Sequence, residues 1–162
     1  MTVEPGPITS GWLVPVCDAI ARCGAGEALA VRFPAYRPDL VAVLARRLGA
    51  AHVDFRQQRL VPLGWKASSV PLSALAETAL GEMDEGRDVI LHNAEALLAL
   101  CAPAARRQWF ADTMARSWPR RLILPVVLYA ADLPDSAHDR IFDLEAGQLP
   151  PESLLDLLPN LQ

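Results

Sequence analysis

The 162-residue sequence predicts a three-layer α/β domain, a mainly parallel five-stranded sheet with helices on both faces. Three observations predict it. Short continuous apolar runs such as Ala28–Phe33 and Val89–Leu91 lack the in–out alternation of a sheet with one wet face, so they suit strands covered on both sides. Between them lie stretches with apolar residues at helical spacing, as parallel strands joined by crossover helices require. The composition is also apolar, with 52% hydrophobic and 21% charged residues. Such a balance excludes intrinsic disorder, and the length suits one domain with a sizeable core.

Each element has its own signal. After a Pro/Gly-containing leader over 1–10, the pattern predicts a helix from Val14 to Cys23, with Pro15 in the first turn and Gly24 as its stop. Ala28–Phe33 reads as the first strand, ending in Pro34-Ala35-Tyr36-Arg37. Pro38 and Asp39 open a helix to about Leu48 whose apolar face is Leu40, Val41, Leu44 and Leu48, and Gly49 closes it. Ala51–Phe55 is the second strand, and Arg56–Ser69 is expected to be a polar connection. Pro71 begins a helix carrying Leu72, Leu75, Ala79 and Leu80.

Gly86 precedes a third strand, Arg87–His92, and Asn93 is expected to cap a short helix from Ala94 to Leu100. A longer helix from Pro103 to Ser117 is expected to bury Trp109, Phe110 and Met114. Arg121–Tyr129 is the fourth strand region. Pro125 lacks an N–H for a central ladder, which predicts regular structure over Val126–Tyr129 or a bulge at Pro125. Arg140–Leu144 reads as a fifth strand and Glu152–Leu158 as a terminal helical turn. The whole chain, 1–162, is expected to be one domain with an acidic C-terminal extension over 146–162.

Charge is unevenly spread around a net value of −4. From 131 onward, Asp132, Asp135, Asp139, Asp143, Glu145, Glu152 and Asp156 face Arg140 alone. Residues 32–66 instead carry Arg32, Arg37, Arg46, Arg47, Arg56, Arg59 and Lys66 against Asp39 and Asp54. A solvated basic face, paired with the acidic stretch or facing a phosphate-bearing partner, is the expectation. Cys17, Cys23 and Cys101 have no metal-binding or disulfide spacing, and the three histidines form no HxxxH motif, so neither a zinc site nor a disulfide scaffold is expected. No apolar run approaches the roughly 18 residues of a membrane span. Met1–Pro5 lacks the basic start of a signal peptide, and a cytoplasmic location is expected.

In open parallel sheets ligands bind beyond the carboxyl ends of the strands. The polar groups expected there are Arg37, Arg56, Arg59, His92, Asn93, Glu95 and Tyr129. Arg37, Arg56, Arg59, Asn93 and Tyr129 are ligand-binding candidates. His92 as general base and Glu95 as acid or orienter are the catalytic ones.

The segment His92-Asn93-Ala94-Glu95-Ala96-Leu97-Leu98, an apolar strand ending in polar residues, Glu and a Leu pair, resembles the Walker B segment of P-loop NTPases of the AAA-like branch. Asn93 and Glu95 match the Asp-Asn-x-Glu-like run of the small P-loop proteins of BREX-type phage-defence systems, whereas His92 replaces the Asp. The resemblance implies a P-loop NTPase-like core over 14–145 in which Glu95 would orient a water. The phosphate loop does not follow. Pro34-Ala35-Tyr36-Arg37-Pro38-Asp39 has no glycine and no lysine, its two prolines remove N–H donors, and Asp39 repels a phosphate. The resemblance therefore implies a pseudo-NTPase without a nucleotide cofactor.

Three functions follow as expectations. The first is a non-catalytic interaction or adaptor subunit, with a protein partner or a second copy covering its surplus apolar surface. The second is a small enzyme or anionic-ligand binder in the strand-end crevice. The third is nucleic-acid binding through Arg46, Arg47, Arg56, Arg59 and Lys66, with Arg106, Arg107, Arg116, Arg120 and Arg121, which would weaken steeply with salt.

Overall fold

In the computed structural model, which describes residues 11–151, five parallel strands form one sheet in the order β2-β3-β4-β1-β5. The strands are β1 (Ala28–Arg32), β2 (Ala51–Asp54), β3 (Val89–His92), β4 (Leu122–Val126) and β5 (Ile141–Asp143). The helices are α1 (Leu13–Arg22), α2 (Pro38–Leu48), α3 (Ser73–Met83), α4 (Ala94–Leu98) and α5 (Pro103–Ala115). Every strand pairing is parallel, so all carboxyl ends lie along one edge. Among the described residues no helix is long and apolar enough to cross a membrane.

The sheet divides the core into two layers. On one face Leu29, Val31, Ile90 and Ile123 pack under Trp12, Val16 and Ile20 of the α1 region and Leu40, Val41 and Leu44 of α2. On the other, Ala28, Ala30, Val53, Leu91, Leu122 and Leu124 meet Leu75, Ala79 and Met83 of α3, Leu97 and Leu98 of α4, and Phe110 and Met114 of α5. β3 and β4 are buried along their whole length, the condition that their unbroken apolar runs anticipated. Ile90 and Ile123 are fully buried, so truncating either to alanine should cost about 2–5 kcal/mol. One glycine is required by close approach. The amide of Trp118 donates to the Gly26 carbonyl at 2.8 Å, and a Cβ on Gly26 would stand 2.6 Å from the Trp118 carbonyl oxygen.

Several expectations need correction. The Arg56–Ser69 connection is wound rather than irregular, a π-helical turn over Arg56–Leu60 running into a 3-10 segment over Val61–Ser69. Leu60 supplies the reason, because its burial anchors the turn to the core. The regular part of β4 is Leu122–Val126 and includes Pro125. The Val126 carbonyl accepts from Phe33 on the β1 side, and amides alternate in direction along a strand, so the Pro125 nitrogen faces β3. There the β3–β4 pairing stops at Ile90–Ile123, and no ladder donor is lost. Asn93 makes no side-chain cap; it sits in the left-handed region at φ 61° and sends its amide elsewhere. Trp109 is half-buried, edge-on to Phe110, while Trp118 is the buried indole. The leader over 1–10 and the turn expected at Glu152–Leu158 lie outside the described residues.

Candidate functional site

The carboxyl edge of the sheet gathers most of the polar groups. Along β2 residues alternate in direction, so His52 and Asp54 share one face, and their register partners on β3 are Ile90 and His92. His52 Nε2 lies 3.2 Å from His92 Nδ1, one ring donating and the other accepting. The His92 ring stacks on Tyr36 from the loop after β1, with centroids 5.9 Å apart and planes at 22°. The Asn93 amide donates to Asp54 Oδ1 at 2.8 Å and to the Tyr36 hydroxyl at 3.2 Å. The left-handed backbone of Asn93 turns its side chain into this cluster, and asparagine tolerates that conformation better than most residues.

The electrostatics of the cluster suppress protonation. Burial pushes His92 down from its ordinary 6.5 to about 4, with neighbouring His52 adding to the effect and Asp54 opposing it. His52 is lowered by burial too, again against Asp54. A general base works best with a pKa near the operating pH, and burial moves His92 away from it.

Glu95 is sequestered. Its Oε1 accepts the Val127 amide at 2.7 Å, and its Oε2 accepts the amides of Leu128 and Tyr129, each at 2.7 Å. Three consecutive N–H groups of this kind form an anion nest, and here the occupant is the domain's own carboxylate. Both oxygens are thus engaged with backbone.

Arg37 is sequestered as well. It is buried at the start of α2, donating from Nε and Nη2 to the two carboxylate oxygens of Asp39 at 3.1 and 3.0 Å, and from Nη1 to the Pro150 carbonyl at 2.7 Å. The Arg37 hydrogen bonds hold the Asp39 carboxyl below its ordinary value. Pro38 occupies the first helical turn without an N–H, and Asp39 supplies the negative charge that favours a helix N-terminus.

Arg56 and Arg59 do not join this group. Both are exposed, and Arg59 turns to Thr78 of α3 on the opposite face of the sheet, at 2.9 Å. The Tyr129 ring is half-buried under the Arg106 guanidinium, 4.1 Å from its centroid, and Arg106 is itself paired with Asp132. The structure therefore brings together His92 and Asn93 with three residues outside the expected set, Tyr36, His52 and Asp54. The His52-x-Asp54 spacing at a strand end carried the signal, since a period of two aims both side chains the same way. Tyr36 had no such mark.

Among the described residues every buried side-chain nitrogen or oxygen has a hydrogen-bond partner, so no orphaned polar atom points into the edge. Among the same residues no group of three or more His, Cys, Asp or Glu is placed to hold a metal ion. The acidic stretch spends part of its charge inside the fold, Asp143 on Arg32 across the β1–β5 pair and Asp132 on Arg106. Comparisons with protein-family models, curated proteins and solved structures find no match.

Proposed function

We propose that this chain is a non-catalytic interaction subunit built on a degenerate P-loop NTPase-like core, serving in a bacterial phage-defence complex. One observation carries the proposal: the edge where a nucleotide would bind is filled by the domain's own groups. An AAA-like core needs a phosphate loop after β1 to face a Walker B end after β3. The loop after β1 meets the end of β3 through Tyr36, which stacks on His92 and accepts a hydrogen bond from Asn93, so the side chains between the two ends are engaged with one another. Glu95, at the position of the water-orienting acid, holds the β4 loop instead. Arg37, the one cation in the β1 loop, is bound to Asp39 and Pro150.

The apolar side chains that reach solvent support the contact role. Trp65 is 85% exposed and Leu128 70%. The second reading, a small enzyme or anion binder, draws on the His52–His92–Asn93 cluster, but its two rings are lowered in basicity and tied to each other.

Thermal denaturation with and without ATP and Mg²⁺ tests the proposal. A functional site at a hundred times its Kd would add about 2.7 kcal/mol, a rise of roughly 5–10 °C for a chain of this size. The expected result is no saturable rise, and a rise of that kind would overturn the reading. Neighbouring genes for a methyltransferase, a phosphatase and a large ATPase would support the phage-defence setting, and a metabolic operon would count against it.

A further inference from the structure

We propose that the Val61–Lys66 turn is a docking knob for the acidic, leucine-rich segment 152–162 of a second copy of this chain, an inference that rests on the interaction-subunit reading. The knob is built from apolar side chains left in water. Trp65 is 85% exposed, Val61 52% and Leu63 42%. Its base is fixed, since Leu60 is buried and Ala67 and Val70 pack against the core. Past the indole, Ser69 donates to the Lys66 carbonyl at 2.7 Å and the Val70 amide to the Ala67 carbonyl at 3.2 Å. Gly64, at φ 55° and ψ −125°, makes the reversal that puts Trp65 outside, a backbone state disfavoured for any residue with a Cβ. A turn already folded at its base loses little backbone entropy on binding, and tryptophan is among the residues that most often dominate an interface.

Charge selects the occupant. Residues 55–76 contain Arg56, Arg59 and Lys66 and no acid. Among the described residues none of these three cations is in an ion pair; Lys66 lies over the Trp65 ring at 5.6 Å and Arg59 bonds a threonine. Residues 152–162 are their chemical complement, with Glu152, Asp156 and Leu154, Leu155, Leu157, Leu158 and Leu161, and no base.

Position agrees with charge. Arg37 pins the Pro150 carbonyl beside the end of β1, on the same sheet edge from which the knob rises after β2. In a two-fold pair each copy gives a segment and receives one, which closes the assembly. A single-stranded nucleic acid fits less well, because Val61 and Leu63 offer no face for base stacking and Lys66 already lies over Trp65.

The test is the mass of the full chain in solution across a wide concentration range, by sedimentation or light scattering. The expected result is a concentration-dependent dimer, weakened at least about thirtyfold by Trp65→Ala and by deletion of 152–162. At a concentration where the wild-type chain is monomeric, Trp65→Ala should keep the wild-type melting temperature, because Trp65 is exposed in the single chain. Mixing the two variants should restore a one-sided heterodimer, since one retains the segment and the other the knob. A monomer at every concentration, or a dimer indifferent to Trp65→Ala, would overturn the proposal. So would a monomer whose Trp65 emission changes on deletion, which would place the segment on its own chain. Trp65-dependent binding of a dT oligonucleotide by a monomer would assign the knob to single strands. These failures leave the nucleotide titration to decide the interaction-subunit reading on its own.

Discussion

The carboxyl edge around α2 and β4 and the wound connection after β2 spend their chemistry in opposite ways. At the edge, Glu95 is satisfied by three backbone amides, Arg37 by Asp39 and Pro150, and His92 by His52 and Tyr36. In the connection, three cations have no ion pair among the described residues and an indole stands in water. Groups that satisfy one another hold a fold together and leave little for a ligand. Groups left in solvent cost stability nothing to bury later and are available for association. The contrast places structural work at the edge and contact work on the knob.

The largest expected effect tests the structural half. Glu95→Ala leaves the amides of Val127, Leu128 and Tyr129 without their acceptor, a loss of about 3 kcal/mol or more, seen as a melting temperature lower by roughly 6–12 °C. Glu95→Gln keeps an acceptor and should lose about half as much. A loss below about 1 kcal/mol for Glu95→Ala would mean that the carboxylate is not the loop's anchor.

A somewhat smaller effect comes from the histidines. His92 titrates near 4 in the folded chain against an ordinary 6.5, lowered first by burial. Between these values the unfolded chain binds a proton that the folded chain declines, so stability is full above pH 6.5 and falls as pH drops toward 4. His52, lowered in the same direction, adds to the slope. His92 alone accounts for a loss of about 3 kcal/mol by pH 4. Asp39 and Asp143 are held low by Arg37 and Arg32, so their losses set in as pH falls through the ordinary carboxylate value, below the histidine window. Urea denaturation between pH 4.5 and 6.5 isolates the histidines, and His92→Asn should flatten the curve. A wild-type stability that does not change over this window would contradict the buried, neutral pair.

The smallest expected effect tests the contact half. Measured on the monomer at low concentration, Trp65→Ala should change stability by no more than about 0.5 kcal/mol, as for other exposed positions. A clear fall in melting temperature would move the indole into the structural class and erase the contrast.

Much of the fold was legible because it follows from local pattern. The α2 segment shows it: Pro38 and Asp39 at the start, an apolar face on Leu40, Val41 and Leu44, and Gly49 closing in the left-handed conformation at φ 63°. Pro125 departs from expectation because a proline rule depends on which neighbour its nitrogen faces, and that is set by pairing. Asn93 was read as a cap because the cap rule is local, whereas its partner Asp54 lies 39 residues away. Two of the five cluster residues, His92 and Asn93, are legible from strand-end position, whereas Tyr36, His52 and Asp54 enter through register and loop path. The knob was hidden inside what read as a polar connection, since exposure is a property of what packs nearby.

The layering follows from local pattern alone: the crossover helices, the buried strands and the absence of a glycine-rich phosphate loop after β1. Periods of two and 3.6 residues and the missing backbone N–H of proline are short-range facts, readable within a few positions. Which groups meet depends instead on strand order and loop path. The order β2-β3-β4-β1-β5 sets His52 against His92, Glu95 against the β4 loop and Arg37 against Pro150, while the Trp65 side chain stays 85% exposed beside Lys66. Those pairings span 32 to 113 residues, and no local pattern specifies contacts at that range.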